Sequence, residues 1–97
     1  MRIVVFRSRE EQALGLQFRS PIEDETIFVF PDVRPGTVFH SRNVTEAFDI
    51  AFLSADFRLL QKETVYPPEE LVRAPEGTAV VIESKAGLLD RFSVRPA

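Results

Sequence analysis

The sequence predicts a mainly β domain of the α+β class: six to seven strands in a small antiparallel sheet, curled into a partly open barrel or sandwich, with one short α-helix. Three observations carry this expectation. Short runs rich in Val, Ile, Thr and Phe recur along the chain and are separated by Pro-, Gly- and Asp-containing turns. A single segment has the form of a helix start. The seven prolines all fall outside the strand cores, where a missing amide donor does least harm.

The elements follow in order. Ile3 to Phe6 is a β-branched run and reads as a strand. Ser8-Arg9-Glu10-Glu11 then has the form of a capping box, in which the serine hydroxyl accepts from the Glu11 amide and the Glu11 carboxylate reaches back. The helix it opens is about two turns long, and Gly15 is placed to end it. Pro21 to Glu25 is an acidic turn. Thr26 to Phe30 is a strand closed by Pro31-Asp32, and Arg34-Pro35-Gly36-Thr37 is a strong turn. Val38 to Ser41 and the very apolar Ala47 to Leu53 are strands; Ser54-Ala55-Asp56 turns the chain into a long strand from Phe57 to Val65. Tyr66-Pro67-Pro68 stops that strand, and Pro68 to Gly77 is a polar connector without pattern. Thr78 to Glu83 is a buried strand, Ser84 to Asp90 a turn or single helical turn, and Arg91 to Arg95 alternates apolar and charged residues as a half-exposed last strand.

Residues 1–97 are expected to form one domain with one core. The nine phenylalanines are its main apolar content, each contributing ~1.5–3 kcal/mol when buried. The same inventory excludes several chemistries. Without cysteine there is no disulfide, thiol nucleophile or thiolate metal site, and one histidine cannot build a His cluster. A net charge of −3 with mixed signs lacks the footprint of a nucleic-acid binder. No apolar run is long enough to span a membrane, and the apolar stretch near Met1 is too short for a secretory signal, so a cytoplasmic location is expected. No cofactor is expected.

Two polar constellations stand out. The first joins His40, Ser41, Arg42 and Asn43 to Asp49, for which either Arg42 or Arg19, from elsewhere in the chain, could supply a forked donor and Asn43 an amide. An acid between Phe48 and Ile50 requires a partner near a core. One reading is a small polar pocket for an anionic or hydroxylated ligand. The other is a structural knot, in which Asp49 fastens the loop that carries Asn43. His40 and Ser41 are adjacent on an extended segment, so their side chains diverge and cannot form a nucleophile–base pair. The second constellation, Glu23-Asp24-Glu25 with Asp32, lacks the spacing of a calcium loop and reads as a solvated turn.

The order Gly15-Leu16-Gln17-Phe18-Arg19, then Ile27 to Phe30, then Phe39-His40-Ser41-Arg42-Asn43, then Phe48-Asp49-Ile50-Ala51-Phe52 resembles the prokaryotic family called domain of unknown function 192. The motifs of that family are Gly-Leu-Met-x-Arg, Gly-Met-Leu-Phe-x-Phe, Phe-Trp-Met-Lys-Asn-Thr and Pro-Leu-Asp-Ile-x-Phe. The likeness runs from Ile3 to Val94 and is specific between Gly15 and Phe52. Gly15, Arg19, Asn43, Asp49 and Phe52 agree with it. Gln17 stands where the family has Met; His40, Ser41 and Val44 replace its Trp, Met and Thr, and Ala47 its Pro. The resemblance implies a small β-rich domain and no particular activity.

The functional expectation is a non-enzymatic binding or interaction module for a small ligand or a protein, monomeric or weakly homo-oligomeric, with Arg19, His40, Arg42, Asn43 and Asp49 as its site. The alternative is a small hydrolase or carbohydrate-processing enzyme using Asp49 as acid or base. Pairing through the Arg91–Arg95 edge ranks below both, since its alternating charge opposes such pairing.

Overall fold

The computed structural model describes residues 1–91. In chain order these form β1 (Arg2–Val5), α1 (Arg9–Leu14), β2 (Thr26–Phe30), β3 (Val38–His40), β4 (Phe48–Leu53), β5 (Leu59–Val65), β6 (Leu71–Arg73), β7 (Val80–Lys85) and α2 (Leu88–Arg91). Five strands make one sheet in the order β1-β2-β7-β4-β5, and β3 pairs with β6 in a second, two-stranded sheet. The mainly β, α+β class is as expected.

The capping box forms as its residues dictate. The Glu11 amide donates to Ser8 Oγ (3.0 Å), and Glu11 Oε1 accepts from the amides of Ser8 and Arg7 (2.9 Å each). Those backbone donors hold the Glu11 carboxyl below the usual carboxylate range. Gly15 ends α1 at φ 53°, ψ −128°, a conformation that L side chains avoid, and its amide returns to the Glu11 carbonyl. Ser8→Ala is expected to lower stability by about 1 kcal/mol, read as a shifted urea midpoint at unchanged slope. A variant as stable as wild type would show that α1 is held by its tertiary contacts alone.

Among the described residues the large sheet does not close into a barrel, and β1 and β5 are its edges. It is also not wholly antiparallel, because β1 and β2 run parallel from Arg2↔Thr26 to Val5↔Val29. A parallel pair requires a crossover, and the segment between the two strands provides it with α1 and the following loop. Alternation then sorts the sheet into two faces. On one face, Phe28, Phe30, Phe48, Ile50, Phe52 and Val81, with Phe6 just beyond β1, pack under a second layer that supplies Leu16, Ile22, Val44 and, from β6, Val72. On the other face lie Asp49 and Ala51, and α2 contributes the buried Leu88 and Leu89 on that side. Burial on both sides explains why β4 reads as an unbroken apolar run around one acid.

Several local expectations change. The patternless connector contains β6, whose one buried residue, Val72, is opposite Phe39; three residues are too few for a period to show. The turn after β4 extends through Phe57, whose amide donates to the Ser54 carbonyl, so Phe57 sits at φ 64° and is 70% exposed instead of beginning a strand. Phe18 is likewise 73% exposed. Ser84 and Lys85 continue β7, and the helical turn follows them. Of the expected last strand, Arg91 ends α2 and the remainder lies outside the described residues, as does Phe92. Phe6, Phe28, Phe30, Phe39 and Phe52 form a continuous chain of ring contacts, with centroids 5.1–5.9 Å apart.

Candidate functional site

The second layer does not cover the sheet completely. Between the C-terminal end of α1, β3 and the face carrying Phe30 and Phe48 lies a cavity of about 790 Å³, a volume in the range of small-molecule sites. Its walls include Leu16, Phe30, Phe39, Val44 and Phe48, and its exposed rim carries Arg9, Asp32 and Arg34.

One ionisable group is set deep in this apolar wall. In β7, alternation places Glu83 on the same face as Val81, and its direct cross-strand neighbours are Phe28 on β2 and Ile50 on β4. Glu83 is 3% exposed and lines the cavity. Among the described residues its carboxyl has no hydrogen bond and no ion pair. No fully enclosed side-chain oxygen or nitrogen lacks a partner there, so the Glu83 oxygens open on the cavity. Burial alone pushes its pKa up to about 8. Near neutral pH the group is mainly a protonated acid, able to donate a hydrogen bond or to surrender its proton to a basic guest.

The five residues expected to share a site are not brought together. Only His40 lines the cavity. Its Nδ1 accepts from the Arg42 amide (3.1 Å), which leaves Nε2 to carry the proton of the neutral ring. Arg42 is exposed and pairs with Glu69 (2.9 Å). Arg19 lies over the rings of Phe28 (4.8 Å) and Phe6 (5.8 Å) and pairs with Glu23. Asn43, at φ 61°, donates through Nδ2 to Gln17 Oε1 (2.9 Å), while its carbonyl accepts from the Phe18 amide (2.9 Å). Asn43 thus clamps the loop after α1.

Asp49 lies on the other face of the sheet. Its Oδ1 accepts from Thr64 Oγ1 on β5 (2.7 Å) and its Oδ2 from the Gly87 amide before α2 (2.8 Å). The geometry is that of a knot, but it fastens the β7–α2 turn, not the loop of Asn43. Lys62, one residue pair along β5 on the same face, pairs with Asp90 of α2 and reinforces that attachment.

In the sequence Glu83 reads only as the end of a buried strand. The signal was present: Val80-Val81-Ile82-Glu83 places an acid in phase with Val81, the same argument that singled out Asp49. No three His, Cys, Asp or Glu side chains among the described residues are placed to hold a metal ion. No helix among them is long and apolar enough to cross a membrane.

Together these features define a two-layer α+β domain with an aromatic-walled cavity and a buried acid. The chain belongs to the family called domain of unknown function 192, described as an uncharacterized ACR, whose model matches residues 1–97. A crystal structure of a protein of unknown function from Novosphingobium aromaticivorans DSM 12444 is similar at 31% identity and a TM-score of 0.84, covering 100% of this chain and 71% of that one. A protein from Sinorhizobium meliloti 1021, described as a candidate transcription regulator, shares the fold at 20% identity and a TM-score of 0.77, covering 97% of this chain and 75% of that one. No functionally curated protein matches the chain.

Proposed function

We propose that this domain is a non-enzymatic binding module that holds a small organic molecule in the cavity between α1, β3 and the sheet. The observation carrying this reading is a buried, unpaired carboxyl facing an aromatic-walled space of about 790 Å³. An acid kept in such surroundings without a partner costs stability, and a guest that meets it offsets that cost. Of the residues expected from the sequence, His40 enters the proposal, as a wall group with a free Nε2. Asp49 has both oxygens engaged by the fold and does not open on this space, which favours binding over acid–base turnover at that residue.

The test is titration of the 15N-labelled protein with 1-hexanol and benzyl alcohol. Saturable amide shifts are expected at Leu16, Phe30, Phe39, His40 and Val44. Shifts that cluster around Asp49 and α2, or on the β1 edge, would overturn the cavity as the site.

A further inference from the structure

Resting on that reading of the cavity, we infer that its ligand carries an organic ammonium group, which seats against the Glu83 carboxylate with the rings of Phe30, Phe39 and Phe48 in the surrounding wall.

The argument starts from what Glu83 lacks. It has no cation, hydroxyl or amide bonded to its carboxyl among the described residues. Every charged group packed around it is directed elsewhere or set at the rim. On β7 itself Lys85 pairs with Asp24 (3.2 Å) and Glu46 (3.8 Å). Across Ile50, Glu63 of β5 shares the face and accepts from Gln61 Nε2 (2.6 Å). Arg19, over the Phe28 ring, is held by Glu23. His40 on β3, Arg9 on α1, and Asp32 and Arg34 after β2 line the cavity without bonding to Glu83.

A countercharge must therefore arrive with the guest. The wall suits a cation for a second reason, since phenylalanine faces are electron-rich and attract ammonium groups most strongly where water is excluded. At the carboxyl itself an anionic head would meet either a negative charge or a single proton. A neutral alcohol would gain no charge-assisted bond there. An ammonium group gains a charge-assisted bond and the ring faces together.

Proton balance follows from the protonation state of Glu83. Below about pH 8 the acid is mainly protonated, so the step is carboxylic acid plus ammonium ion giving the carboxylate–ammonium pair and one free proton. Release approaches one proton per ligand at pH 6 and falls away above pH 9. Apparent affinity for the ammonium ion rises about tenfold per pH unit below pH 8 and then levels.

The experiment is calorimetric titration of the full chain with n-hexylammonium chloride and with 1-hexanol, each in two buffers of different ionisation enthalpy, for wild type and Glu83→Gln. At pH 8 hexylammonium is expected to bind at least tenfold tighter than hexanol, with proton release that hexanol does not cause. Glu83→Gln is expected to erase both the preference and the release. Hexanol binding without an ammonium preference would overturn this inference and leave the cavity reading standing. Proton release that persists in Glu83→Gln would also overturn it, by assigning the proton to another group. Failure of both probes to bind would overturn the cavity reading and this inference with it.

Discussion

Asp49→Ala is expected to lower the unfolding free energy by about 2–3 kcal/mol, because it removes the shared acceptor of two part-buried donors at once. The Thr64 hydroxyl and the Gly87 amide both donate to this carboxylate, and neither has another partner assigned by the fold. Gly87 lies in the turn that delivers Leu88 and Leu89 to their buried positions, so loosening it also weakens the cover on that side of the sheet. Asp49→Asn is expected to be milder, at about 1–2 kcal/mol, since Oδ1 can still accept from Gly87 while Nδ2 donates to a rotated Thr64 hydroxyl. Urea unfolding of the two variants checks this, with hydrogen exchange at the Gly87 amide as a local readout. An alanine variant within 1 kcal/mol of wild type would show that Asp49 is not a fastening for α2. A variant that kept its stability and lost turnover of a glycoside or ester would place Asp49 in chemistry instead.

Glu83→Gln is expected to do the reverse, and its effect grows with pH. Below about pH 4.5 the carboxyl is protonated in the unfolded chain as well as in the fold, and its burial carries no charge penalty. Between about 4.5 and 8 the unfolded chain has released the proton that the folded chain retains. Unfolding is then favoured by up to about 1.4 kcal/mol per pH unit. The raised pKa therefore gives stability that is fully present in acid and lost as pH climbs to about 8. Summed over that window, the loss is of order 4–5 kcal/mol, a large part of the stability of a domain this small. Glutamine keeps the shape and cannot ionise, so the variant should match wild type near pH 4.5 and exceed it by several kcal/mol at pH 9. Paired urea curves at four pH values decide the matter. Parallel pH profiles for the two proteins would mean that Glu83 is solvated or paired in solution.

These two acids show how far the sequence could be read. Both occupy apolar strands at positions in phase with a face, and period alone assigns them equal status. Asp49 stood out because large residues flank it on both sides, Phe48 and Ile50. Glu83 did not, because it falls near the end of its run, where a charge is commonplace. The site residues expected around Asp49 were drawn together by chain proximity: His40, Arg42 and Asn43 precede it by only a few residues. In the fold, alternation sends the Asp49 side chain to the face opposite the one that His40 approaches, so nearness in sequence did not become nearness in space.

Other features were fully local and could be read directly. The capping box needs only Ser8 and Glu11 at their spacing, and the stop at Gly15 needs only a residue without a Cβ. The α+β class, the position of most strands and the family followed from short-range propensity, period and motif. The parallel pairing of β1 with β2, the short β6 and the open edges of the sheet did not, because each depends on a partner far along the chain. The sequence by itself therefore determined the α+β class, most of its elements and that Asp49 interrupts a buried apolar strand. Only the tertiary structure decided which acid is held and which is left open. α2 and β5 bring a backbone amide and a hydroxyl to Asp49, whereas the layer above Glu83 stops short and leaves its carboxyl facing an aromatic-walled cavity.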